Sequence, residues 1–123
     1  MVLGTLSLRA QIVRDNPDQL FRLAQSYEQG GEPAKANSIY KNLYLKNKNN
    51  FNYYNALVRT TLALKKYDDV VNLCKTKLKN NPYDINSYGM LGTAYYMANK
   101  TDSAFSVWNK AITLNHNNSI NYR

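Results

Sequence analysis

The side chains able to do covalent, acid–base or metal chemistry are few, and their spacing does not bring them together. The chain holds one cysteine and one histidine among 123 residues. Cys74 would be a nucleophile only as a thiolate, which needs a base or a positive neighbour to lower its pKa. The one imidazole, His116, lies far along the chain in the polar run Asn115–Asn118, expected to be a solvated turn. A single Cys and a single His cannot complete a four-ligand zinc site. Asp68 and Asp69 are adjacent on a predicted helix, so they point apart. They suit the positive end of a helix dipole better than a carboxylate pair for acid–base work. With no phosphate loop and no nucleophile–base–acid triad, the sequence reads as non-enzymatic, with no cofactor or metal expected.

The elements that carry these residues are helices. Tyr88, Leu91, Gly92 and Tyr95 fall on one face of a 3.6-residue period, as do Ala104, Trp108 and Ala111 after a short polar turn. A small residue stands where each helix would approach the other. The pattern recurs 34 residues earlier as Tyr54, Leu57, Val58 and Thr61, then Val70 and Cys74. It recurs again as Leu20, Leu23, Ala24 and Tyr27, then Ala36, Tyr40 and Leu43. Cys74 thus occupies the core position of Tyr40 and Trp108 and reads as a small buried hydrophobe.

Local signals punctuate the pattern. Asn16-Pro17 is an N-cap followed by proline at the first helical position. Gly30-Gly31 breaks the first hairpin and Pro33 restarts it. The run Lys46–Asn50 is a polar turn, Lys65-Lys66 breaks the second hairpin, and Pro82 pushes the preceding residue out of helical geometry. Asp68 and Asp69 open a helix that ends near Lys75, Lys77 and Lys79, matching its dipole. Ser119 is a candidate N-cap for a further repeat. Residues 1–16 read as an N-terminal arm or capping helix. Within them, residues 1–10 also resemble the end of a secretory apolar region before Ala10. The expected location is cytoplasmic, or periplasmic or secreted if those residues are a signal remnant. No apolar run reaches the ~20 residues that span a bilayer.

A 34-residue helix–turn–helix unit of this kind resembles the tetratricopeptide repeat. Three gapless units, 17–50, 51–84 and 85–118, share one register, with 119–123 starting a further repeat or capping helix. The third unit fits best, through Tyr88, Leu91-Gly92, Tyr95, Ala104, Trp108 and Ala111. The second departs most, with Val58, Thr61, Val70 and Lys77 at positions the family fills differently. The resemblance implies an all-α fold, a right-handed solenoid of antiparallel helix hairpins whose first helices line a concave groove.

Family groove positions fall on Asp18, Phe21, Gln25, Glu28 and Gln29, then Asn52, Asn55, Arg59, Leu62 and Ala63, then Asn86, Gly89, Thr93, Tyr96 and Met97. From these the peptide-binding set is taken as Phe21, Gln25, Asn52, Asn55, Arg59, Asn86 and Tyr96. Amides can satisfy the N–H and C=O of an extended peptide, the aromatics offer apolar contact, and Arg59 could take a carboxylate. Family members that clamp the carboxylate tail of chaperones carry two lysines, two asparagines and an arginine at groove positions matching Phe21, Gln25, Ala56, Asn86 and Met90. None is charged here, which argues against that ligand.

The chain is basic, with 16 Lys+Arg against 8 Asp+Glu and a net charge of +8. Lys35, Lys41, Lys46, Lys48, Lys75, Lys77, Lys79, Lys100 and Lys110 fall on second helices or loops, while Arg22 and Arg59 fall on first helices. That distribution is a solubilising outer coat rather than the aligned track a nucleic acid requires. The expected function is a non-catalytic protein–protein interaction scaffold binding a peptide segment of a partner in its groove. Alternatives are a homo-oligomer assembling through its repeat ends, and a basic outer face binding nucleic acid or anionic membrane.

Overall fold

The computed structural model describes residues 16–121, with side chains described as far as Asn117. The arm expected over 1–16 lies outside these residues except for Asn16, as do Tyr122 and Arg123. Six α-helices and no strand occur among the described residues. They are α1 (Pro17–Gln29), α2 (Pro33–Lys46), α3 (Phe51–Ala63), α4 (Tyr67–Asn80), α5 (Ile85–Met97) and α6 (Thr101–Asn121). The starts of α1, α3 and α5 recur at the 34-residue period, and so do those of α2, α4 and α6.

The starts of α1 to α4 have local causes. The Asn16 side chain accepts from the backbone N–H groups of Asp18 and Gln19 at 3.0 and 3.1 Å, satisfying two donors that helical bonding leaves free. Asn50 does the same for Tyr53 at 3.1 Å. Pro17 and Pro33 occupy first-turn positions where a missing N–H costs nothing. Helix α4 carries Asp68 and Asp69 in its first turn and Lys77 and Lys79 in its last, in line with its dipole.

The turn inside each hairpin rests on one residue in the left-handed region. Gly31, Lys65 and Asn99, spaced by 34, have φ of 77°, 61° and 64°. Around Gly31 the N–H of Glu32 returns to the Tyr27 carbonyl at 2.8 Å. Around Asn99 the N–H of Lys100 returns to the Tyr95 carbonyl at the same length. These bonds occupy carbonyls at the helix end that would otherwise lack a partner. Three chemically different residues therefore hold one conformation, which is cheap for Gly and tolerated by Asn.

The chain divides into two compact units, one ending at Leu64 and one beginning at Lys65. In the first, α1 packs on α2 and α2 on α3. Its core is Ala24, Ala36, Tyr40, Leu43, Tyr54, Leu57 and Val58. Burying each of the large side chains contributes about 1.5–3 kcal/mol. Ala24 and Ala36 are wholly buried, as expected where two helix axes approach closely. In the second unit, α4 packs on α5 and α5 on α6. Val70, Cys74, Leu91, Ala94 and Ala104 are buried there.

Four sequence expectations need correction. The turn expected at 115–118 is helical, so α6 runs through to Asn121 and Ser119 is not an N-cap. Nothing in Asn115–Ser119 forbids helical geometry, whereas Pro82 enforces an exit at the matching place one repeat earlier. His116 accordingly sits on a helix, exposed, rather than in a turn. Trp108, expected in the core, is half-buried. Its indole N–H donates to the Gly89 carbonyl at 3.1 Å, and its ring fills the space over Gly92.

Candidate partner-binding site

The first unit places Phe21 and Gln25 on α1 and Asn52, Asn55 and Arg59 on α3. Phe21 is half-buried, with its ring 5.4 Å from that of Tyr40 and 5.5 Å from that of Tyr53. It therefore belongs to an aromatic cluster joining three helices, with part of one face outward. Gln25 and Asn52 are exposed, and Asn55 is half-buried.

Arg59 is already engaged. Its Nε and Nη2 donate to the two carboxylate oxygens of Glu28 on α1, the Nη2 bond measuring 2.8 Å. The Tyr40 hydroxyl on α2 donates to Glu28 Oε1 at 2.9 Å. One carboxylate thus ties together all three helices of the unit. The forked guanidinium–carboxylate geometry is the stronger kind of ion pair. Beside it lies an open depression of about 340 Å³, lined by Gln25, Glu28, Gln29 and Arg59.

The electrostatics follow from this geometry. The hydrogen bonds from Arg59 hold the Glu28 carboxyl below its ordinary pKa, against partial burial and with help from Tyr40. The same pairing raises the pKa of Arg59. Burial, and then the adjacent carboxylate, pushes the Tyr40 phenol up to about 12. The depression is lined by two amide side chains and one ion pair, so it is close to charge-neutral. A carboxylate arriving at Arg59 would compete with Glu28, while the amides of Gln25 and Gln29 face outward and can bond a peptide backbone.

Asn86 and Tyr96 lie in the second unit, both exposed, on α5. The Tyr96 ring is 5.8 Å from the Trp108 ring, which supports it from α6. Two residues outside the predicted set shape the first-unit site. Glu28 is the counter-ion of Arg59, and Tyr40 buttresses Glu28. The opposite charges at two family groove positions were a usable signal for the first. Nothing in the spacing marked the second, because the Tyr40 ring is core and only its hydroxyl reaches the site.

The tetratricopeptide repeat family model matches residues 20–50. No curated protein sequence matches the chain. Solved structures similar in fold include MamA AMB-1, with a TM-score of 0.75 at 20% identity over 85% of this chain and 62% of that one. MamA 41-end from Desulfovibrio magneticus RS-1 gives 0.70 at 19% identity over 85% of this chain and 59% of that one. A double mutant of MamA RS-1 gives 0.70 at 20% identity over 91% and 63%. The chain spans about 62% of the length of the first of these structures. The family match, the 34-residue recurrence of six helices and these likenesses agree: the fold is an all-α array of helix hairpins, and residues 20–50 match the tetratricopeptide repeat family.

Proposed function

We propose that this chain is a non-catalytic scaffold that binds an extended or helical segment of a partner protein. In the first unit the binding residues are Phe21, Gln25, Asn52, Asn55 and Arg59, and Asn86 and Tyr96 are their counterparts in the second. The observation that carries the reading is the polar depression bounded by Gln25, Gln29 and the Glu28–Arg59 pair. Its ion pair is fixed by Tyr40, so outward-facing amides are presented on a frame that need not reorganise on binding. That frame also weakens the nucleic-acid and membrane alternative. The cation in the depression is neutralised by Glu28, and the exposed lysines fall mainly on second helices and loops.

The test is a pull-down on the full chain, with the bound partner identified and its affinity for Arg59→Ala and Asn55→Ala variants measured. Each substitution should weaken binding about tenfold, or ~1.4 kcal/mol, with helicity unchanged. Undiminished binding by both variants would overturn the groove assignment.

A second reading, self-assembly, is favoured by a different observation. Phe105 and Ile112 on α6 are 54% and 66% exposed and lie two turns apart on one helix face.

A further inference from the structure

The two halves of the Glu28–Arg59 pair are unequally available to a ligand. Both Glu28 oxygens are occupied, Oε1 by the Tyr40 hydroxyl and Arg59 Nη2, Oε2 by Arg59 Nε. That side chain is 24% exposed, whereas Arg59 is 54% exposed. The bonds to Glu28 use the Nε hydrogen and one Nη2 hydrogen, and a guanidinium carries further donors on its two terminal nitrogens. The exposed amides of Gln25 and Gln29 line the same depression and add both donors and acceptors. Hydrogen-bond donors are therefore in surplus at a place where the charge is already balanced.

Together these two features discriminate between ligands. A surplus of donors calls for acceptor oxygens. An anion has them, but it would arrive beside the Glu28 carboxylate, and like charges so close disfavour each other. Moving Glu28 aside is resisted, because Tyr40 holds the same carboxylate from α2. A displaced Glu28 would also be left as a partly buried charge without its cation. A neutral carbonyl takes the donors and meets neither obstacle. The other charged residues of α1, Asp18 and Arg22, are opposite in sign and give no net bias.

We infer, on the groove reading above, that Glu28 is a specificity residue that turns Arg59 from an anion receptor into a donor of neutral hydrogen bonds. The partner segment in the depression is then uncharged. It presents backbone carbonyls and Asn or Gln side chains rather than Asp, Glu or phosphate groups.

The experiment is selection of short peptides from a random displayed library on the full chain, on Glu28→Gln and on Arg59→Ala. Glutamine at position 28 keeps the shape and can still accept from Tyr40, but it leaves the charge of Arg59 unbalanced. Peptides retained by the wild type over Arg59→Ala should be rich in Asn and Gln and poor in Asp and Glu. Their affinity should change less than about twofold between low and high salt, since no net charge is paired. Replacing the central Gln of such a peptide by Glu should weaken binding to the wild type about tenfold and strengthen binding to Glu28→Gln. If that variant loses helicity, the Gln and Glu peptides compared on the wild type, with their salt dependence, decide alone. A wild type that retains nothing beyond Arg59→Ala overturns the groove reading and this inference with it. Retained peptides that are acidic, or a folded Glu28→Gln whose preference is unchanged, overturn the role of Glu28 and leave the groove standing.

Discussion

Arg59 holds Glu28 across two helices, and Tyr40 holds the same carboxylate from a third. The pair is at once the frame of the polar depression and a link among α1, α2 and α3. Its side chains are 54% and 24% exposed, so solvent screens the attraction, and its worth lies near the upper end of the surface range, about 1 kcal/mol.

The pH dependence of that link has a definite sign. The folded-state pKa of Glu28 is depressed, so its stabilisation is present above the unfolded value, ordinarily 4.5, and is lost as pH falls through the folded value. Urea midpoints measured on descending from neutral pH should fall more steeply in the wild type than in Glu28→Gln or Arg59→Ala. Parallel curves for all three proteins would show that the pair contributes nothing measurable.

At the alkaline end the same cluster acts through Tyr40. Its folded pKa is raised from 10.0 to about 12, so the stabilisation it brings is whole below 10 and is lost as pH rises through 12. Tyr40→Phe should be less stable at neutral pH, because Glu28 loses a donor, yet should lose less further stability across that window. Chemical unfolding at both ends of the window checks it.

Gly92 and Gly89 make a contrasting pair on α5. A Cβ at Gly92 would lie 2.2 Å from Trp108 Nε1, whereas one at Gly89 would meet nothing within 4 Å. Gly92→Ala should cost about 1–3 kcal/mol as the indole is forced aside, with a shift in Trp108 emission as its bond to Gly89 is lost. Gly89→Ala should leave emission unchanged and gain about 0.5–1 kcal/mol from better helix propensity. Equal responses from the two would contradict the packing described.

Lys65 carries the strain that glycine avoids at Gly31. With φ of 61° it occupies the left-handed region, where a side chain costs about 1 kcal/mol relative to glycine. Lys65→Gly should therefore be neutral to stabilising by about 0.5–1 kcal/mol, despite the greater freedom of glycine in the unfolded chain. Gly31→Ala should destabilise by about as much. Thermal unfolding of the two variants decides whether the turn geometry is shared.

Helix identity and phase were legible because they are local and repeated. Asn16-Pro17, Gly30-Gly31 and Pro82 act within a turn of chain. The recurrence of Ala24, Val58 and Gly92 identified the inward faces. The end of α6 was not legible. Asn115–Asn118 resembles a turn in composition, yet asparagine permits helix as well as turn, and the missing breaker decided the matter.

By itself, then, the sequence determined a 34-residue helical array and the faces its helices bury, since backbone geometry and apolar periodicity leave little other choice. Only tertiary structure decided which polar groups meet. Thr61, which stands where the neighbouring repeats have tyrosine, bonds Asn37 at 2.9 Å and donates to the Leu57 carbonyl. Arg59 bonds Glu28, so a ligand carboxylate has to compete with that partner. The Asn37–Thr61 and Glu28–Arg59 pairings join residues on different helices at separations the period does not encode. They depend on how axes cross and which rotamers fit there, and a linear pattern of types does not fix either.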